Sequence, residues 1–325
     1  LKLSVDRVKG NRNFGTKLWN AARFAEFNEA RPVEGFDPST VEQTLNKWIV
    51  GETARVRDVV DTALEQYRFN DAANGLYAHV WGKVCDWYVE LSKPVLWDEE
   101  AQPEKAASTR WVLVSVLEQS LRLLHPFMPF ISEEIWQRVK TLLDIQGDSV
   151  MLQPYPVSDS NAIDTAANAD IEWVKGVIVG IRTIRGEMNI SPAIALPVLF
   201  KNGDDRDKKR LEENRQFLEK LAKLEQIKWL DNDGDVPVSA TAMVANLEIL
   251  VPMAGLIDRD AELTRLKKEM EKRQKEVSRL KGKLDNSSFI AKAPEEVVAK
   301  EQKKLQALEE AMLKLKDQEQ RIAAL

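Results

Sequence analysis

The sequence predicts a mostly α protein in three parts: a helical bundle, a small α+β module and an antiparallel coiled-coil hairpin. Three observations carry this. Apolar residues recur at helical spacing through roughly the first 150 residues, where most of the nine tryptophans fall. A helix, strand, helix, strand, strand pattern follows. The chain then closes on two runs of heptads. With 325 residues, the length suits two or three domains. The expected boundaries are 1–157, 158–257 and 258–325.

In the first part, Phe14, Leu18, Ala21, Ala22 and Ala25 share one face of a helix over about 3–29. RPVEGFDPST (31–40), with two prolines and a glycine, breaks it. Asp37 or Ser39 can cap a helix over 39–67. A third helix is expected over 70–93, stopping before Pro94. WDEEAQPEKA reads as a polar loop. A fourth helix covers 105–124 and ends at His125–Pro126, where proline disfavours the α region for the residue before it. A fifth covers 130–143. MLQPYPVSDSN reads as an extended exit.

The second part begins with a helix over 167–188. Strands follow at ALPVLF (195–200), IKWL (227–230) and LEILVP (247–252), with a helix over 205–224 between the first two. Asn202–Gly203 and Asp233–Gly234 mark turns. In the third part Leu263, Met270, Val277 and Leu284 fall every seven residues, with Leu266, Arg273 and Leu280 three residues after the first three. These are a and d positions with one charged d. Pro294 opens a second helix. Its a positions are Val298, Leu305, Met312 and Glu319, and its d positions Glu301, Leu308, Leu315 and Ile322. Helices of this length reach on the order of 35–40 Å.

Composition excludes several function classes. One cysteine, Cys85, and two histidines, His79 and His125, allow neither an internal disulfide nor a Cys/His zinc site. The usage suits a reducing cytoplasm. No apolar run is long enough for a transmembrane helix. The first ten residues, LKLSVDRVKG, read as neither a signal peptide nor a natural start, so the chain reads as an excised piece. There is no Gly-rich phosphate loop. His79 and His125 read as packed or hydrogen-bonded helix residues, and Cys85 as a small buried hydrophobe. Glu133 and Glu134 open a helix, where carboxylates are favoured for dipole reasons alone. The sequence supports binding more than chemistry.

Two features suit RNA. Asn13, Lys17, Asn20 and Phe24 are spaced four, three and four, with Arg12, Trp19 and Arg23 alongside. Amides, cations and a ring on one face can hold unstacked bases and phosphates, or can equally make caps, ion pairs and core contacts. The net charge is −5, yet 259–283 holds ten Lys or Arg against five Asp or Glu. Arg259, Arg265, Lys267, Lys268, Lys272, Arg279, Lys281 and Lys283 carry that excess. It either solubilises a coiled coil or meets a polyanion.

RNFGTKLWNAARF (12–24), CDWYVELSKP (85–94) and HPFMPFISEEIWQ (125–137) together resemble the helical anticodon-binding bundle of the class I aminoacyl-tRNA synthetases for valine, leucine and isoleucine. LVPMAGLID (250–258) and FIAKAPEEVVAKEQKKL (289–305) resemble the entry and tip of the valyl family's C-terminal arm. An isoleucyl enzyme would carry a zinc-binding cysteine cluster, and a leucyl enzyme lacks this hairpin. The resemblance implies a partner, the tRNA for valine, and neither DNA nor membrane. It implies that the bundle holds the anticodon loop, with Lys17 on a phosphate, Phe24 stacked on a base, and Arg12, Asn13, Asn20 and Arg23 around them. The eight arm cations would meet the tRNA elbow. ATP and Mg²⁺ would serve the parent enzyme, with no cofactor in this piece. The HIGH and KMSKS signatures and an editing domain are missing, so the chain alone is expected to be a catalytically inert, cytoplasmic monomer. The competing readings are a non-catalytic coiled-coil module that binds another protein, and the same region of another class I synthetase.

Overall fold

The computed structural model describes residues 5–32, 41–157, 159–230, 236–253, 259–285 and 295–323. Helices run α1 (Val5–Phe27), α2 (Thr44–Glu65), α3 (Phe69–Tyr77), a π-helical segment (Ala78–Tyr88) and α4 (Val89–Trp97). After these come α5 (Pro103–Leu124), α6 (Pro129–Leu142) and α7 (Thr165–Glu187). Then follow β1 (Leu196–Lys201), α8 (Asp205–Leu221), β2 (Leu224–Trp229), β3 (Ser239–Val244), β4 (Leu247–Pro252), α9 (Arg259–Leu284) and α10 (Glu295–Ala323). The chain divides into two compact units, residues 1–176 with 210–221, and residues 177–209 with 222–325.

The first unit is built around α5, which beyond its first turn has no exposed residue. Val112, Leu113, Val114, Val116, Leu117, Leu121, Leu123 and Leu124 are all buried, as a helix enclosed by neighbours requires. Several polar groups buried beside it are paired. The amide of Asn46 donates to the Thr109 hydroxyl (3.2 Å) and accepts from Tyr88 Oη (2.8 Å). Glu118 accepts from Trp136 Nε1 (2.9 Å) and from Arg122 Nη2 (2.8 Å). Glu52 holds both Arg55 and Lys83. Buried charges survive only when satisfied in this way.

Several sequence expectations need correction. The helix does not stop before Pro94; it continues to Trp97 with Pro94 buried inside it. Burial of Leu91, Val95 and Leu96 outweighs the lost backbone bond. The second helix starts at Thr44 rather than 39, because Gln43 is extended (φ −65°, ψ 127°) and its side-chain oxygen accepts from Asn46 and Thr109. Asp37 and Ser39, the expected caps, lie outside the described residues. The helix before Pro126 ends where expected, but His125 keeps α dihedrals (φ −55°, ψ −40°), and Phe127 and Met128 both donate back to the Leu124 carbonyl. The chain turns instead of extending. The expected extended exit contains two 3₁₀ turns, Val150–Leu152 and Ser160–Ala162, each capped by a side chain, Ser149 or Asp159.

In the second unit a four-stranded sheet has the order β2-β1-β4-β3, with β1 and β2 parallel and the other pairs antiparallel. Its edge strand β3 was not expected from the sequence. Only Ala240 of β3 is buried, so the strand lacks the alternation that marks a half-buried one. Gly180 on α7 lets the helix close on the sheet, since a Cβ there would meet Ala242 Cβ at 3.0 Å. Asn202 takes a left-handed conformation (φ 60°) at the expected turn, while the Asp233–Gly234 turn lies outside the described residues. Arg185 is buried and donates to the carbonyls of Ser191, Ala222 and Lys223 at 2.9–3.1 Å.

Helices α9 and α10 pair antiparallel, with ion pairs between them that include Lys281–Glu309 (2.7 Å), Lys283–Glu301 (2.8 Å) and Lys304–Glu276 (2.9 Å). Leu266, Val277, Leu280 and Ile322 are buried, as the a/d assignment requires. The charged d residue, Arg273, bonds Glu269 of its own helix at 3.0 Å.

Candidate nucleic-acid interface

Helix α1 buries Phe14, Leu18, Ala21, Ala22 and Ala25 and leaves Arg12, Asn13, Asn20 and Arg23 exposed. Lys17 and Phe24, the residues expected to do most, are half-buried. Lys17 forms an ion pair with Asp86, and its ammonium lies 4.2 Å from the centre of the Trp81 ring. It is therefore neutralised within the fold, and a phosphate would have to displace a carboxylate to reach it. The Lys93 ammonium sits 5.8 Å from the Phe24 ring centre. Trp19 is covered by the Arg138 guanidinium at 4.8 Å, and Arg138 also approaches Glu26 (4.0 Å).

The structure adds aromatic rings that the sequence reading left out. Phe14, Tyr77 and Trp81 form a cluster of mutually stacked rings, with centroids 5.1 Å apart for Phe14–Tyr77, 5.6 Å for Tyr77–Trp81 and 6.4 Å for Phe14–Trp81. Tyr77 is 45% exposed. A cavity of about 220 Å³ adjoins it, lined by apolar side chains including Leu76, Leu124, Phe127 and Met128. A partly exposed ring beside an apolar recess offers a surface to an unpaired base. The signal was the Tyr77/Trp81 spacing of four in LYAHVWGKVCDWY. Part of the geometry was hidden, because residues 78–88 are π-helical. Trp81 and Asp86 are five apart. An α-helix, at about 3.6 residues per turn, would aim them well apart, whereas i→i+5 bonding brings them to one side. Both thus reach Lys17.

The histidines and the cysteine are poor reagents. His79 is buried, and desolvation, then the charges of Lys83 and Arg57, push its pKa down to about 3. Burial above all pushes the Cys85 thiol up to about 12. His125 Nδ1 lies 2.8 Å from the Ser132 hydroxyl. Glu133, whose burial raises its pKa, is brought below the ordinary value by bonds from Gln137, Ser149 and the Val150 amide and by nearby His125.

The arm divides its cations by heptad position. Lys281 and Lys283 flank the partner helix and are spent on Glu309 and Glu301. Arg265, Lys268, Lys272, Lys275 and Arg279 follow at spacings of three, four, three and four, the c and f positions facing away from the partner helix, and all are exposed. No acid interrupts that stripe. Among the described residues Lys267, Lys268, Lys272, Lys275 and Arg279 make no ion pair. The sequence reading overlooked Lys275, which lettering the heptad to f picks out. The Arg259 side chain lies outside the described residues. The stripe spans about 21 Å at 1.5 Å per residue.

Two family models match. Residues 46–200 match the anticodon-binding domain of tRNA ligase, and residues 258–323 match the valyl tRNA synthetase tRNA binding arm. The first range contains Tyr77, Trp81 and Asp86; α1 precedes it. Among the described residues no helix is long and apolar enough to cross a membrane. Tyr77 and Trp81 lie within the anticodon-binding match, and the cationic stripe lies within the tRNA binding arm match. The chain therefore belongs to the valyl-tRNA synthetase family and carries tRNA-recognition parts of that ligase.

Proposed function

We propose that the bundle holds the anticodon loop of the valine tRNA while the arm holds its elbow, so that the acceptor end is presented to the parent enzyme's catalytic domain. The observation that carries this is the uninterrupted c/f stripe of α9. A pairing coil needs no such row of outward cations, of which Lys268, Lys272, Lys275 and Arg279 make no ion pair among the described residues, whereas an RNA backbone does. In the bundle, Tyr77 takes a base, and Lys17 exchanges Asp86 for a phosphate. Asn13, Asn20, Arg12 and Arg23 supply exposed donors around them. Fixing both ends of the RNA is catalysis by orientation.

The chain acts as a monomer in the cytoplasm and does not aminoacylate by itself. ATP and Mg²⁺ are assigned to the parent reaction. Among the described residues no cluster of three His, Cys, Asp or Glu could hold a metal ion.

The test is fluorescence anisotropy with a valine tRNA transcript and the same transcript carrying a swapped anticodon. Tighter binding to the valine anticodon is expected. Equal binding leaves the chain as a shape-and-charge clamp, and no binding to either removes the reading.

A further inference from the structure

A second recess lies at the C-terminal end of α1, where Phe27 stands about 20 Å beyond Phe14 along the helix at 1.5 Å per residue. Helix α1 and the helix that ends at Trp97 run side by side in one direction, since Lys17 meets Asp86 and Phe24 meets Lys93. Arg110 ties their ends together. Its Nε donates to the Asn28 carbonyl (2.9 Å), and its two terminal nitrogens donate to Glu99 (2.7 and 2.6 Å). Beside this tie opens a recess of about 740 Å³, whose lining includes Phe27, Glu29, Arg31, Glu99 and Arg110. Small-ligand clefts have that size, about 300–1,000 Å³.

The accessible groups here are rings, carboxylates and a guanidinium. Phe27 is 84% exposed, and Trp97, one turn after Lys93, is 70% exposed. Burial is the usual reason for a large ring, and neither position has it. Glu29 and Arg31 lie 3.3 Å apart with 73% and 65% of their side chains exposed, a pair that water screens and a ligand can separate. Glu99 accepts one Arg110 nitrogen on each oxygen, and that bonding holds its pKa below the ordinary value, so it stays an ionised acceptor. Both carboxylates keep further lone pairs. Two carboxylates at one recess ask for a group with two N–H donors. The exocyclic amine of adenine, cytosine or guanine is such a group. Uracil has a single N–H between two carbonyl oxygens, which a second carboxylate repels.

We infer that this recess reads an unpaired anticodon-loop base that bears an exocyclic amine. The base stacks on Phe27, the amine donates to Glu29 and Glu99, and Arg31 meets the phosphate of the same nucleotide. Arg110 is a positioning residue that holds Glu99 against the end of α1. The inference rests on the anticodon reading above and adds to it a second base, a class of base and the residues that select it.

The test is fluorescence anisotropy of the full 325-residue chain with the valine tRNA transcript and with transcripts in which each amine-bearing anticodon base is replaced by uracil in turn. One replacement is expected to weaken the wild-type chain about tenfold. Glu29→Gln should remove most of that penalty, because its amide presents a donor to a uracil carbonyl. Phe27→Ala should weaken all the transcripts alike, about tenfold, through lost stacking. Its urea unfolding should stay unchanged, because the ring is exposed. A uracil penalty that survives Glu29→Gln, or a Phe27→Ala chain that binds as the wild type does, would overturn the inference and leave the anticodon reading standing. A wild-type chain that binds every transcript equally would overturn both.

Discussion

The bundle and the arm carry their cations in opposite ways. In the bundle three cations near the candidate interface are already engaged, Lys17 with Asp86 and Trp81, Lys93 with Glu90 and Phe24, and Arg138 with Glu26 and Trp19, while Arg12 and Arg23 are exposed. On the arm, Lys268, Lys272, Lys275 and Arg279 stand bare on the outer face. A pre-paired cation yields only to a ligand that replaces its partner well, which favours selectivity. A bare cation attracts any polyanion, giving salt-dependent affinity without sequence preference. Discrimination then belongs to the bundle and adhesion to the arm.

Four experiments test this contrast. The largest effect is expected on the bundle's stability. Glu118→Ala leaves Trp136 Nε1 without its acceptor and Arg122 without its carboxylate. Arg122 keeps some access to water, so the cost is about 2–3 kcal/mol in urea unfolding. A loss below 0.5 kcal/mol would mean that the buried network does not preorganise the bundle.

Next is the Lys268, Lys272, Lys275→Ala triple variant. It should weaken tRNA roughly thirtyfold at low salt and reduce the magnitude of the log–log salt slope by about two to three. An unchanged slope would take the stripe out of the interface. Third, Tyr77→Ala should weaken tRNA about tenfold through lost stacking while leaving the salt slope alone. A change in slope instead would show that the ring serves the charges and not a base. The smallest effect is that of Asp86→Asn. Freeing Lys17 should tighten tRNA two- to threefold and steepen the slope by about one, with less discrimination between anticodons. Unaltered discrimination would show that the pairing plays no part in selectivity.

The arm was almost wholly legible because a coiled coil is a repeat. Heptad letters give both the seam and the outward stripe, and Lys275 was missed only because its letter was not used. The bundle's helices were legible as apolar periodicity, but their ends were not. Pro94 stays inside a helix because Leu91, Val95 and Leu96 are buried around it, a tertiary effect no local rule carries. Strand β3 lay below detection because its neighbour β4 supplies the buried residues. The candidate interface was legible on α1 by spacing, while its closest partners, Trp81 and Asp86, sit in a π-helical segment that the spacing rules treat as α.

That segment also changes how the chain tolerates variation. Its buried positions run His79, Val80, Val84, Cys85, Tyr88 and Val89, in pairs four to five residues apart. A substitution scan through 78–88 should therefore show intolerant positions recurring more slowly than on α2 or α5. Deleting a single residue there would turn everything after it around the helix axis and separate Asp86 from Lys17, even if every remaining side chain were conserved. The spacing of that stretch, as much as its composition, is what homologous chains have to preserve.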